Sequence, residues 1–206
     1  MWLSDKKIVV LVSGRGTNLQ ALIEATQSGY IPGKISLVVS DNPQAFALER
    51  ARRASIPTLI LDYNSFPHKR VYEDALLQAL EKENPYLVCL AGYMRIVGKN
   101  IIIRFRERIM NIHPSLLPAF PGLEAQRQAL EYGVKVSGCT VHLVDEGMDT
   151  GPIILQVSCP VEDEDTVESL SERILQHEHQ IYPQAVKLFL EDKLNVVGRR
   201  VFIKKE

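Results

Sequence analysis

Four short runs rich in β-branched residues, KIVVLVS, KISLVVS, TLILD and YLVCLAG, punctuate the first half of the chain, separated by three longer amphipathic stretches. Runs that are apolar at nearly every position read as strands covered on both faces. The intervening NLQALIEATQ, AFALERARRA and HKRVYEDALLQALEKE carry apolar residues at i, i+3 and i+4, the spacing of helices that bury one face. Strands joined by crossover helices lie parallel, so this rhythm predicts a βαβ series. A fifth run, RIMNI, follows, and then VSGCTVHLV and PIILQVSCPV with only DEGMDTG between them. That connection is too short for a crossover, so the last two runs should pair antiparallel. The expected fold is α/β: an open, twisted, mostly parallel sheet with one antiparallel region and helices on both faces.

With 206 residues, 46% of them hydrophobic, the chain has enough apolar surface for a single domain over 1–206. Lys and Arg number 24 against 25 Asp and Glu, and a formal charge of −1 offers no global attraction for nucleic acid or an anionic membrane. Any anion must be bound locally. Cys89, Cys139 and Cys159 are odd in number, widely spaced and without a CxxC pair, which suits neither a disulfide framework nor a zinc site. A reduced cytoplasm is the expected compartment. The apolar run in MWLSDKKIVVLVSGRG is too short for a secretory leader or a membrane span.

A long helix is expected within EDEDTVESLSERILQHEHQIYPQAVKLFLEDKL, with Asp165 and Glu168 as a capping box. Val167, Leu170, Ile174, Ile181, Ala185 and Leu188 trace its apolar stripe, and Glu178 interrupts that stripe. The carboxylate either sits at the edge of the stripe or has a use. Pro183 removes a backbone donor and should kink the helix nearby.

Chemistry is concentrated where strands end. The loop SGRGTNLQALI joins the first strand to a helix. Its glycines permit a tight turn, and the N–H groups of the first helical turn attract an anion. It lacks the third glycine of a dinucleotide fingerprint and the lysine of a P-loop, so a monophosphate fits best, with Thr17 and Asn18 adding side-chain hydrogen bonds. An ordinary turn capped by Thr17 or Asn18 is the plain alternative. In MNIHPSLLP, Asn111 and His113 project from one face of an extended segment, about 6.5 Å apart along the chain. Asp149, between Gly147 and Gly151, could reach a neighbouring loop and favour an imidazolium, while Asn111 donates to an oxygen that becomes negative. That set suits acyl transfer. Asp145, Glu146 and Asp149 miss the spacing of a calcium loop, and no metal is expected. His142 is expected to be a hydrogen-bonded structural histidine, and neither Ser13 nor Ser115 sits in a nucleophile elbow.

VLVSGRGTNLQALI, LAGYMRIV, MNIHPSLLPAFPGL, RQALEYGVKVSGCTVHLVDEGMDTGPIILQ and EHQIYP occur here in the order in which they occur in the phosphoribosylglycinamide formyltransferases, and the chain closely resembles that family. SLLP alone is shared with methionyl-tRNA formyltransferases and formyltetrahydrofolate deformylases. The resemblance implies a Rossmann-like formyltransferase fold with a phosphate-binding half, 1–107, and a catalytic and folate-binding half, 108–206. It implies a cytoplasmic enzyme of purine biosynthesis that moves the formyl group of 10-formyltetrahydrofolate to the amine of glycinamide ribonucleotide. Gly16, Thr17 and Asn18 would hold the ribonucleotide phosphate and Glu178 its sugar hydroxyls. Met94, Arg95, Ile96 and Val97, with Asn111, Val144 and the 145–150 turn, would receive the folate. Lys69, with Arg70 adjacent as the alternative, stands nearest to a basic residue that the family places beside the folate tail. Asn111, His113 and Asp149 would be catalytic, with protonated His113 and Asn111 sharing the oxyanion, and His142 would support them. The implied partners are these small molecules, with the chain a monomer or homodimer. Formyl-folate hydrolysis and a non-catalytic nucleotide-binding module are the competing readings.

Overall fold

The computed structural model describes residues 6–204; residues 1–5, which open the segment weighed above as a leader, lie outside it. The chain divides into two compact units, 1–110 and 111–206.

In the first unit, strands β1 (Lys7–Val12), β2 (Lys34–Ser40), β3 (Thr58–Ile60) and β4 (Leu87–Leu90) stand in the order β3-β2-β1-β4. The pairings β1–β2, β1–β4 and β2–β3 are all parallel. Helices α1 (Thr17–Gln27), α2 (Phe46–Arg53) and α3 (Lys69–Glu83) provide the crossovers, and α4 (Lys99–Arg104) follows β4. Ile8 to Val12 and Leu87 to Leu90 are all buried, as strands covered on both faces require. Local chemistry sets the ends of these helices. α3 stops at Asn84, whose φ of 49° is left-handed, and Pro85 follows.

Strand β5 (Ile109–His113) carries the chain from the first unit into the second. In the second unit, α5 (Ala125–Tyr132), β6 (Val136–Leu143), β7 (Ile153–Pro160), α6 (Val167–Leu190), β8 (Leu194–Val197) and β9 (Arg200–Ile203) follow in turn. The strand order is β5-β6-β7-β9-β8. β6 and β7 pair antiparallel, as their short connection requires, and so do β8 and β9, while β9 joins β7 in parallel. α6 packs on β6 and β7, with α5 against α6.

Helix α6 departs from expectation at its start. Its N-cap is Thr166, which forms the capping box with Ser169, not Asp165 with Glu168. Asp165 instead accepts from Ser169 Oγ at 2.7 Å and takes the Arg173 guanidinium in a two-pronged ion pair, so its carboxylate serves the first turn from outside the box. The helix continues through Pro183 to Leu190. Glu178 lies on the buried face with Leu170, Ile174 and Ile181, at 6% exposure, which rules out a position at the edge of the stripe.

A Cβ at Gly138, on β6, would lie 2.0 Å from the Val157 carbonyl oxygen of β7. Gly138→Ala is therefore expected to destabilise the fold by about 1–3 kcal/mol through strand separation. Thr166→Ala should cost about 1 kcal/mol through loss of the cap. Denaturant midpoints of the two variants check both values.

Candidate active site

In the first unit the carboxyl ends of β1, β2 and β4 are joined through Ser13. Its N–H donates to Gly92 O at 3.1 Å and its hydroxyl accepts from Met94 N at 2.9 Å. Its carbonyl accepts from Asn42 Nδ2 at 3.1 Å. The glycine loop follows directly. Gly16 has φ 72° and acts as N-cap of α1 without a side-chain cap, so neither Thr17 nor Asn18 takes that role. A Cβ on Gly16 would fall 2.5 Å from Ala47 Cβ, so both conformation and space demand glycine here. Ala47 N–H donates to Gly14 O at 3.0 Å, and Arg50 Nε donates to Arg15 O at 2.9 Å, fixing the loop from α2. The result is a rigid turn that presents the first N–H groups of an eleven-residue helix, with Asn18 buried in its first turn.

Beside this loop, within the same unit, Tyr63, Lys69, Tyr72, Tyr93, Met94, Arg95, Ile96 and Val97 line a cavity of about 250 Å³. The structure thus brings Lys69 onto one wall with the 94–97 segment. Met94 and Ile96 expose 60% and 64% of their surface, apolar area available to a flat ring. Arg95 is held from two sides: Nε donates to the buried Asp41 carboxylate at 2.8 Å, and the guanidinium lies 3.9 Å from the centre of the Tyr63 ring. The Tyr72 and Tyr93 hydroxyls share a 2.6 Å hydrogen bond, and burial pushes the Tyr72 hydroxyl up to about 12, so both phenols stay protonated. Lys69 Nζ pairs with Glu73 at 3.3 Å across one helical turn. Asp41, Tyr63, Tyr72 and Tyr93 escaped the sequence reading, although SDNP after β2 is a turn signal at the end of a strand.

In the second unit, Asn111, His113, His142 and Asp149 form one polar cluster. β5 carries the first two on a single face, β6 carries His142, and the turn after β6 returns Asp149. Asp149 Oδ2 lies 3.4 Å from His113 Nδ1, and its Oδ1 lies 3.6 Å from His142 Nε2. Gly122 N–H donates to Oδ2 at 2.8 Å. Burial pushes the Asp149 carboxyl up, but His142, the Gly122 N–H and His113 together outweigh it and hold the pKa below the ordinary value. Asp149 remains a carboxylate at neutral pH.

The two imidazoles are oriented differently. His142 Nδ1 faces Leu143 O at 2.9 Å and must donate there, so in the neutral ring Nε2 accepts from Asn111 Nδ2 at 3.2 Å. One Asn111 N–H is thereby fixed and the other is left to act elsewhere. His142 is more than structural packing, because it touches both Asn111 and Asp149. His113 has acceptors at both nitrogens, Phe120 O at 2.9 Å from Nε2 and Asp149 at Nδ1. That geometry favours the doubly protonated ring, yet burial is the larger influence and lowers the His113 pKa, with Phe120 and Asp149 pulling back and His142 adding to the drop. The residues that aim both acceptors, Phe120 and Asp149, have φ of 54° and 55°, left-handed values that a non-glycine residue holds only under constraint. Val144 precedes the turn and is half-buried, and Glu178 lies near Cys139, whose thiol burial and the Glu178 charge push up to about 12.

Ring-nitrogen NMR titration should place the His113 pKa below 6.5, and Asp149→Asn should lower it further by removing the attraction of the carboxylate. The unfolded chain then takes up this proton before the folded one as pH falls. Stability from His113 is therefore complete above 6.5 and is lost as pH drops from there to the folded pKa. His113→Gln should flatten that part of the curve of Tm against pH.

Among the described residues, no helix is long and apolar enough to cross a membrane, and no group of three His, Cys, Asp or Glu side chains is placed to hold a metal. Residues 6–186 match the formyl transferase family model. The chain is 43% identical to phosphoribosylglycinamide formyltransferase of Bacillus subtilis over 90% of this chain and 95% of that protein. It is 45% identical to the trifunctional purine biosynthetic protein adenosine-3 of Drosophila melanogaster over 90% of this chain but only 14% of that much longer protein. A solved glycinamide ribonucleotide transformylase 1 from Symbiobacterium toebii is 53% identical and superposes with TM-score 0.96 over 100% of this chain and 96% of that one. A formyltetrahydrofolate deformylase from Pseudomonas syringae shares the fold at TM-score 0.91 but only 25% identity, over 98% of this chain and 67% of that one. The α/β fold expected from the strand rhythm is the fold of these proteins, and the chain belongs to the formyl transferase family.

Proposed function

We propose that the chain transfers a formyl group from 10-formyltetrahydrofolate to the primary amine of glycinamide ribonucleotide, giving formylglycinamide ribonucleotide and tetrahydrofolate in purine biosynthesis. The observation that carries this reading is the Asp149 carboxylate set between His113 and His142, with the Asn111 amide held against His142. The donor supplies the formyl carbon. As the amine nitrogen bonds to that carbon, the formyl oxygen becomes negative. Asn111 offers it the N–H not engaged by His142. His113 offers a second N–H, which requires Nε2 to leave the Phe120 carbonyl.

Burial makes His113 reluctant to hold a second proton until a further anion stands on its other side. Its cationic form is thus favoured most when the oxygen is negative, the kind of differential stabilisation that accelerates a reaction. Asp149 holds Nδ1 and helps move the proton from the attacking nitrogen to the departing folate nitrogen as the old carbon–nitrogen bond breaks. In the first unit, the Gly16, Thr17 and Asn18 turn would bind the ribonucleotide phosphate. The cavity walls formed by Met94, Arg95, Ile96, Val97 and Lys69 suit an aromatic, anionic-tailed folate. The Glu178 carboxylate would accept hydrogen bonds from sugar hydroxyls.

Hydrolysis of the same donor would replace the amine by water. The two activities separate in one assay, because release of tetrahydrofolate by a transferase depends on added glycinamide ribonucleotide. The expected result is such dependence, with formylglycinamide ribonucleotide as product. His113→Ala or Asn111→Ala should lower turnover on the order of a hundredfold with the fold retained. Near-normal transfer by either variant overturns its assigned role.

A further inference from the structure

The turn that bears Asp149 is knitted together internally. Asp145 Oδ1 accepts from Gly147 N at 3.1 Å and from Thr150 Oγ1 at 2.6 Å. At its base, Leu143 N donates to Pro152 O at 2.9 Å, and a Cβ on Gly151 would lie 1.8 Å from Leu143 O. These contacts give the turn a shape but do not fix how it sits on the sheet. Among the described residues, the bonds that reach it from outside include Gly122 N–H on the Asp149 carboxylate and Arg199 Nη2, which donates to Thr150 O at 2.8 Å.

Arg199 comes from an element that the sequence reading did not anticipate. β8 and β9 pair in register from Leu194↔Ile203 to Val197↔Arg200, leaving Gly198 and Arg199 as a two-residue turn. Gly198 supplies the positive φ, 60°, at the first turn position. β9 is attached to β7 at Ile153↔Arg200, three residues beyond Thr150. The far end of the hairpin is closed by Lys204 N–H to Lys193 O at 2.9 Å and Lys204 Nζ to Asp192 O at 3.1 Å. Arg200 directs its guanidinium over the Phe202 ring at 4.7 Å, so of the two adjacent arginines only Arg199 turns to the loop. The register of the sheet therefore sets where the Arg199 guanidinium can reach.

We propose that Arg199 is a positioning residue for Asp149: by holding the carbonyl of the next residue, Thr150, it keeps Asp149 in its left-handed conformation and its carboxylate aimed at His113 and His142. The inference rests on the formyl-transfer reading of that carboxylate. The charged and titratable groups facing Asp149 are His113 from β5 and His142 from β6, with Arg199 one residue beyond on the hairpin. Loss of a single partly solvated hydrogen bond shifts a conformational balance by roughly fivefold, so a partial loss of activity is expected rather than a collapse.

The test uses the full chain as wild type, Arg199→Met, which keeps the aliphatic stem, and Arg199→Lys, which keeps a donor. Formyl transfer from 10-formyltetrahydrofolate to glycinamide ribonucleotide is followed against pH, and amide hydrogen exchange is followed over 145–151. Arg199→Met should lower kcat about fivefold with little change in KM, and should move the alkaline limb of the kcat/KM profile to lower pH as His113 loses its carboxylate. Exchange should rise at 145–151 and not along β7. Arg199→Lys should recover part of each effect. An active wild type with an unchanged kcat and pH profile in Arg199→Met overturns the proposal, as does faster exchange spread evenly over β7 and the hairpin. A wild type without transfer refutes the functional reading instead, and the exchange of 145–151 then decides alone whether Arg199 holds the turn.

Discussion

A carboxylate that must stay charged while half-buried between two imidazoles is the constraint around which the second unit is arranged. Burial alone would push its proton affinity up, and it is overcome only by hydrogen bonds from several directions. The groups that do so come from β5, from β6 and from the segment after β5, so the cluster cannot form until the local folds that supply them are in place. The same arrangement tunes His113. Its two acceptors invite a proton and its burial refuses one, leaving a ring whose charge responds to whatever stands next to it.

The first unit works by different physics. Much of its binding capacity lies in backbone geometry: Gly16 pressed against α2, helix N–H groups directed outward, and Ser13 joining the segments that follow β1, β2 and β4. Arg95 adds a cation that is immobilised by Asp41 and Tyr63. A guanidinium fixed in this way loses less freedom on meeting a ligand than one on a free side chain.

Much of this was legible in the sequence because it depends on periodicity and on turn residues. β-branched runs announced β1 to β4, the short DEGMDTG link announced an antiparallel pair, and the alternation of a strand put Asn111 and His113 on one side. The position of Glu178 on an apolar stripe also signalled burial, which the helix bears out. Other features were hidden because they depend on tertiary partners. Asp165 looked like a cap, but the competing Arg173 drew its carboxylate away and left the capping to Thr166. The short helices α4 and α5 have too few turns to show a period. VVGRRVF carried a hairpin signal only in its Gly198, and the value of Arg199 emerges only from the register of β9 on β7. The two positive φ values at Phe120 and Asp149 leave no trace in residue type.

Strand β8 lies at the margin of its sheet, paired on one side by β9. Its outer backbone groups are the kind of template onto which a foreign strand can add, which leads to aggregation. Only four residues long, and followed at once by the Gly198 turn, it offers such a visitor few bonds. The same brevity that limits its share of the core protects the chain from polymerising along this edge.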